Sequence, residues 1–223
     1  MAPVVVFDVN ETLLDLAGLD PHFERVFGRE GVRERWFSQL LQLALVATVT
    51  ESYRDFSELA GNALGAVAKQ KNGGLGDEDK ESILAAVKNL EPHPDVVPNL
   101  TRLKDAGFRL AALTNSPYKT LKGQLEHAGL SAFFEQALSV DEVQVFKPHR
   151  KVYEMAAGKL AVAPANLLMV AAHAWDATGA LRAGCRAAFL ARPGKVLSSA
   201  DETPDIVGAT LAEVADHIIA QYS

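Results

Sequence analysis

The chain has 223 residues, 48% hydrophobic and 22% charged, and 22 Lys and Arg against 28 Asp and Glu leave a formal charge of −6. Those proportions suit a packed globular protein with one large domain or a core plus an insert, and a mildly acidic chain without a basic run offers no footprint for nucleic acid or anionic membrane. A lone cysteine, Cys185, excludes an intrachain disulfide and fits a reducing cytosol, while the lack of a basic n-region or of roughly 20 consecutive apolar residues argues against a signal peptide or a membrane span.

Residues 4–8 (Val-Val-Val-Phe-Asp) form a continuous apolar run ending in a carboxylate, the pattern of a strand buried on both faces. From about 15 to 90 no strand pattern occurs. Helical spacing covers 22–27, 33–49, 53–70 and 77–90, with Asn72-Gly73-Gly74-Leu75-Gly76 as a flexible turn between the last two. Pro92-His93-Pro94 then ends this stretch, because residues before proline resist helical geometry. Beyond it strands and helices alternate: helix 94–106, strand 108–114, helix 118–128, strand 137–140, helix 150–160, strand 167–172, helix 175–184, strand 186–191 and a C-terminal helix at 210–222. The alternation predicts an α/β fold with a parallel, Rossmann-like sheet. The expected division is a core of residues 1–14 and 92–223 interrupted after its first strand by a helical cap, residues 15–91.

In such sheets ligands bind beyond the carboxyl ends of the strands. Here those ends carry Asp8-Val9-Asn10-Glu11-Thr12, Thr114-Asn115-Ser116, Phe146-Lys147-Pro148 and Ala172-His173-Ala174-Trp175-Asp176. A carboxylate, a hydroxyl–amide pair, a lysine, and a histidine followed by a second carboxylate share one edge, with the insert above them as a lid.

In order and across the whole chain, these segments resemble the four motifs of the haloacid dehalogenase superfamily. FDVNETLLD resembles the first motif, LTNS the second, FKP the third, and AAHAWDATGA the fourth motif of the L-2-haloacid dehalogenase branch. The superfamily's phosphatases generally place a second Asp two residues after the nucleophile as general acid, and hold Mg²⁺ with carboxylates of the first and fourth motifs. This chain has Asn10 at the first of those positions, which cannot donate and regain a proton, and Ala171, Ala172 and His173 in the fourth motif make a poor Mg²⁺ site. Halide needs no general acid as a leaving group. The resemblance therefore implies a dehalogenase that works without a metal or other cofactor.

The resemblance assigns Asp8 as the nucleophile that displaces halide from C2 with inversion, Lys147 as the cation keeping Asp8 ionised, and Asp176 as the anchor of that lysine. Asp8 and Asp176 would also suit helix N-termini, and a lysine before proline is ordinarily solvated. Many members carry Asn at the His173 position and a small residue such as Gly at the Glu11 position. His173 and Glu11 together resemble a minority branch whose His–Glu pair activates the water that hydrolyses the aspartyl ester. The bland alternative packs His173 on Trp175 and leaves Glu11 in a surface ion pair.

Candidate substrate-binding residues are the backbone of Val9 and Asn10 as an anion nest, Thr114 and Asn115 as donors, Trp175, and Tyr153 at a spacing from Lys147 seen for a site tyrosine. Tyr153 equally suits the helix core, and Asn115 ordinary turn chemistry. From the insert come Trp36, Phe37, Leu40 and Leu41, the two leucines reading as core. The resemblance puts a halide-receiving arginine near Phe37, so halide here would leave into an apolar or aromatic-edge cradle. Cys185 reads as a small hydrophobe, and His22, His93, His127, His149 and His217 show no metal-ligand spacing.

The resulting expectation is a cytoplasmic hydrolase converting short 2-halo carboxylates, L enantiomers by the resemblance, to 2-hydroxy acids and halide through an aspartyl ester. Dimerisation is usual in the family. The rivals are a Mg²⁺-dependent phosphatase with a degenerate acid, and a binding protein that kept the fold without turnover.

Overall fold

Short aliphatic runs, too apolar for any surface, become the centre of the molecule. The computed structural model describes residues 2–28, 30–70 and 74–223; residues 72 and 73 of the expected glycine-rich turn lie outside the described residues. The strands are β1 (Val4–Phe7), β2 (Leu110–Thr114), β3 (Gln136–Ser139), β4 (Leu167–Ala171), β5 (Arg186–Leu190) and β6 (Ile206–Gly208). They form one sheet in the order β3-β2-β1-β4-β5-β6 with every pair parallel. β1, β2 and β4 are buried throughout, as strands covered on both faces must be. The chain runs outward from β1 to β3 on one side, then returns to β4 on the other. The order therefore reverses at the β1–β4 pair, where a crevice opens at the carboxyl ends.

The helices are α1 (Asp20–Phe27), α2 (Val32–Val49), α3 (Phe56–Gln70), α4 (Asp77–Ala86), α5 (Val96–Asp105), α6 (Tyr118–His127), α7 (Arg150–Lys159), α8 (Ala174–Arg182) and α9 (Leu211–Tyr222). Their limits differ from the sequence expectation where local chemistry intervenes. α3 starts at 56 rather than 53 because the Asp55 carboxylate accepts the Ser57 N–H (2.7 Å) and caps the first turn. α4 ends at 86, and Val87–Asn89 tightens into a 3₁₀ turn. β6 had no sequence signal: it is three residues long, and its middle residue, Val207, is exposed.

Between β1 and β2 lie only helices among the described residues, as the sequence pattern requires. α1–α4 gather around buried Phe23, Trp36, Leu64 and Ile83, and the Trp36 indole N–H donates to the Ala60 carbonyl at 2.9 Å. The two crossings to this helical segment lie side by side: Asp15 N–H donates to Glu91 O and His93 N–H to Leu13 O, both at 2.9 Å. α2 lies beside the carboxyl end of β4, the ring of Phe37 coming within 6.0 Å of the His173 ring between centroids.

Candidate active site

Asp8 follows β1 directly, its N–H still in the ladder to Val170 O (3.0 Å). The carboxylate is almost fully buried, so both oxygens need partners. Lys147 Nζ donates to Asp8 Oδ1 at 2.8 Å, and the Thr12 hydroxyl donates to Oδ2 at 2.7 Å. Thr12 Oγ1 in turn accepts the Ala172 N–H (2.9 Å), which fixes the direction of the hydroxyl and ties the β1 loop to the end of β4. Lys147 is itself 2% exposed; its ammonium also donates to Asp176 Oδ2 (2.6 Å) and Leu113 O (3.2 Å), and its backbone N–H to Asn115 Oδ1 (2.9 Å). Tyr153 hydroxyl donates to Asp176 Oδ1 at 2.6 Å. A Cβ on Gly179 would come within 2.6 Å of that hydroxyl and 2.4 Å of the Pro148 Cβ, so only glycine lets α8 close on this cluster.

One cation thus stands between two buried carboxylates. Burial alone would push the Asp8 carboxyl up, but Lys147 and His173 beside it reverse this and hold it well below the usual carboxylate range. Burial opposes the Lys147 charge, and Asp176 and Asp8 outweigh it, so the ammonium titrates above an ordinary lysine.

His173 lies two residues beyond the end of β4 and Glu11 lies in the β1 loop. His173 Nε2–H donates to Glu11 Oε2 at 2.7 Å, while Nδ1 lies 3.5 Å from Asp8 Oδ2, buried and without a hydrogen-bond partner. Glu11 reaches this position from a left-handed backbone (φ 65°), costly for a residue with a Cβ. Its N–H donates to Leu14 O (2.9 Å), and the His93 ring N–H to its carbonyl (3.2 Å), which together hold that conformation. Burial pulls the His173 imidazole down, but Asp8 and Glu11 more than offset it, so it holds its proton above the ordinary pH. Phe37 of α2 and Trp175 of α8 flank the ring, with centroids 6.0 and 5.0 Å away.

Two cavities open beside this cluster. One, of about 340 Å³, is lined by Asn10 and Ser116 from the core and by Trp36, Phe37, Leu40 and Phe56 from the helical segment. The other, of about 270 Å³, is lined by Asn115, Lys147 and Trp175 with Leu41 and Leu45 of α2. The substrate-binding candidates divide accordingly: Asn10 and Phe37 face the first cavity, Asn115 and Trp175 the second. Val9, Thr114 and Tyr153 line neither. Thr114 Oγ1 accepts the Ser116 N–H (3.1 Å) inside the turn, and Tyr153 is spent on Asp176. Cys185 is buried, its thiol pushed up to about 11 by burial, as befits a packing residue.

With this geometry in hand, comparison with known proteins is decisive about the family. Residues 2–184 match the family of haloacid dehalogenase-like hydrolases. The chain is 30% identical to the (S)-2-haloacid dehalogenase of Pseudomonas sp. (strain YL) over 215 residues, 95% of this chain and 92% of that one. The chain belongs to the haloacid dehalogenase-like hydrolase family. A second relative of this hydrolase, (S)-2-haloacid dehalogenase 1 of Pseudomonas sp. (strain CBS-3), is 35% identical over 178 residues, 78% of each chain. The solved L-2-haloacid dehalogenase of Xanthobacter autotrophicus superposes with a TM-score of 0.93 at 26% identity, covering 99% of this chain and 100% of that one.

Three polar residues of the hydrolase were not singled out from sequence. Thr12 lies inside the first motif, but nothing in its spacing distinguishes it from a turn residue. Ser116 accepts the Asn10 amide N–H (3.1 Å) on Oγ, so its own hydrogen is free toward the first cavity. Asn10 in turn accepts from Gln124 Nε2 (3.1 Å), so both ends of its amide are engaged. Lys195 Nζ donates to Glu11 Oε2 at 2.6 Å from a loop without periodic pattern.

Proposed function

We propose that this chain hydrolyses short 2-halo carboxylates to 2-hydroxy acids and halide by way of an ester on Asp8. The observation that carries the reading is the pairing of Asp8, held ionised by Lys147, with an unpartnered imidazole nitrogen 3.5 Å from its Oδ2. In the first step a carboxylate oxygen attacks C2; the new O–C2 bond forms as the C–halogen bond breaks, and halide leaves with the electron pair. Lys147 and the Thr12 hydroxyl orient the nucleophile, and Ser116 is placed to donate to the substrate carboxylate. Phe37 and Trp175 give halide an aromatic-lined exit. The residue 15–91 segment acts as the cap that excludes bulk water during displacement.

Alkylation changes the electrostatics of the next step. The Asp8 ester is neutral, so the charge that favoured protonated His173 is gone, and Nδ1 becomes available as a base. A water attacks the ester carbonyl carbon as its proton passes to Nδ1. Collapse breaks the Cγ–O(alkyl) bond, the leaving oxygen takes a proton to give the hydroxy acid, and Asp8 returns as carboxylate. One net proton is released, and Glu11 stabilises the imidazolium that carries it. We extend the family's usual homodimer and a cytoplasmic location to this chain; among the described residues no helix is long and apolar enough to cross a membrane.

The test is His173→Ala with L-2-chloropropionate. One halide per site is expected, with the enzyme mass raised by one propionate unit that persists. Sustained turnover by this variant, or no adduct and no halide from wild type, would overturn the reading.

A further inference from the structure

The loop after β5 carries Arg192-Pro193-Gly194-Lys195, and its geometry is that of a built support rather than a solvated connection. Lys195 N–H donates to Arg192 O at 2.8 Å, and Gly194 has φ 77°, so the four residues close a turn with Pro second and Gly third, the pattern of type II. The turn is fastened to the loop that bears Glu11. Buried Arg192 donates to Thr12 O from Nε (3.2 Å) and Nη2 (3.0 Å), and from Nη1 to Asp95 (2.8 Å). From this anchored turn Lys195 Nζ reaches Glu11 Oε2 at 2.6 Å, the same oxygen that accepts from His173 at 2.7 Å. Behind Glu11 is a cavity of about 240 Å³ lined by Arg33, His93, Arg192 and Lys195, and the Lys195 side chain is 25% exposed.

We propose that Lys195 is a positioning residue for ester hydrolysis: it clamps Glu11 against His173 and draws off enough of that carboxylate's charge to leave the imidazole free to take the water's proton. This rests on the reading of His173 as the base. A Glu11 carboxylate bound to His173 alone would stabilise imidazolium so well that the base would be occupied near neutral pH. A second cation on the same oxygen opposes that. It also leaves a charged, partly wet chamber on the far side of Glu11 into which the net proton of hydrolysis can pass. The charged groups around His173 are few: Asp8, with Lys147 and Asp176 behind it, and Glu11, with Lys195, Arg33, His93, Asp15 and Arg192 around that carboxylate. The rings of Phe37 and Trp175 beside it are neutral. Burial tends to raise the Glu11 carboxyl, and His173 with Lys195 lowers it below its ordinary value, in keeping with a carboxylate shared between two cations.

The experiment separates the two chemical steps in single turnovers of L-2-chloropropionate. Halide release reports alkylation, and decay of the Asp8 ester, followed by quench and mass spectrometry, reports hydrolysis. In Lys195→Met the acid limb of hydrolysis is expected to move to higher pH by about one unit, from loss of a charge that shares the Glu11 Oε2 atom with the imidazole. Lys195→Arg, which keeps the charge, is expected to restore the wild-type limb. Should Lys195→Met not fold, Lys195→Gln is read in its place. An unmoved limb in the neutral variant, or an equal shift in Lys195→Arg, would overturn the proposal. Wild-type ester decay in His173→Ala would instead remove the reading beneath it, so the two failures are distinguishable.

Discussion

Lys147→Met is the perturbation whose outcome the site geometry constrains most tightly. Lys147 sits 2.8 Å from Asp8 and 2.6 Å from Asp176, with side chains 1%, 8% and 0% exposed. Removing the cation leaves two buried carboxylates held by the Thr12 and Tyr153 hydroxyls and, for Asp8, by the His173 imidazole 3.5 Å away, and breaking a buried ion pair in this way costs about 3–5 kcal/mol. For a chain of this size that corresponds to a loss on the order of 10 °C in Tm. One carboxyl must then hold a proton at neutral pH, so alkylation is expected to slow on the order of 10²–10³-fold. The pH dependence of stability supplies the sharper test. In wild type the Asp8 carboxyl titrates below its unfolded value, so its contribution is present above the unfolded pKa and is lost as pH falls through the folded one. In the variant only His173 still opposes burial and the Asp176 charge, so the depression of the Asp8 carboxyl shrinks and its contribution is lost at a higher pH as pH falls. Thermal melts from pH 4 to 8, with halide bursts at each pH, measure both. A variant with the wild-type Tm trend and burst would refute the electrostatic account of Asp8.

Other outcomes follow from the same geometry. Ser116→Ala removes a donor to a charged group in the 340 Å³ cavity, so kcat/KM is expected to fall roughly 10–50-fold, chiefly through KM; an unchanged KM would move the substrate carboxylate elsewhere. His173 should titrate above an ordinary imidazole in wild type and lower in Asp8→Asn, where the charge that favours its protonated form is neutralised. By linkage, its stabilising contribution in wild type is full below pH 6.5 and is lost as pH rises through the folded value. Imidazole NMR checks this, and equal titrations would dismiss alkylation as the switch.

Much of this was legible in the sequence for physical reasons. Buried parallel strands are continuous aliphatic runs, so β1, β2, β4 and β5 stood out, and their carboxyl ends put Asp8 and His173 on one edge; that β1 and β4 are neighbours is shown only by the sheet order. Lys147 and Asp176 took their roles from the resemblance to the family's third and fourth motifs, since a lysine before proline is by itself ordinarily solvated. What stayed hidden depends on side-chain direction, which periodicity does not carry. Thr114 and Ser116 lie two residues apart in one turn, and only the hydrogen bond from Ser116 N–H to Thr114 Oγ1 shows that the serine, not the threonine, faces the cavity. Tyr153 projects from α7 beneath Asp176 and away from both cavities. Lys195 meets Glu11 across 184 residues, through a turn whose Pro-Gly pair announces a bend and not its target. β6 escaped because three edge residues with an exposed centre bury too little to leave a pattern.

The most direct test of the central claim is a single turnover of L-2-chloropropionate with enzyme in excess in H₂¹⁸O. If Asp8 forms the ester and water attacks its carbonyl, the label enters the Asp8 carboxylate and the first-turnover hydroxy acid carries none. Label in the hydroxy acid, with unlabelled Asp8, would mean that water displaces halide directly and would contradict the account.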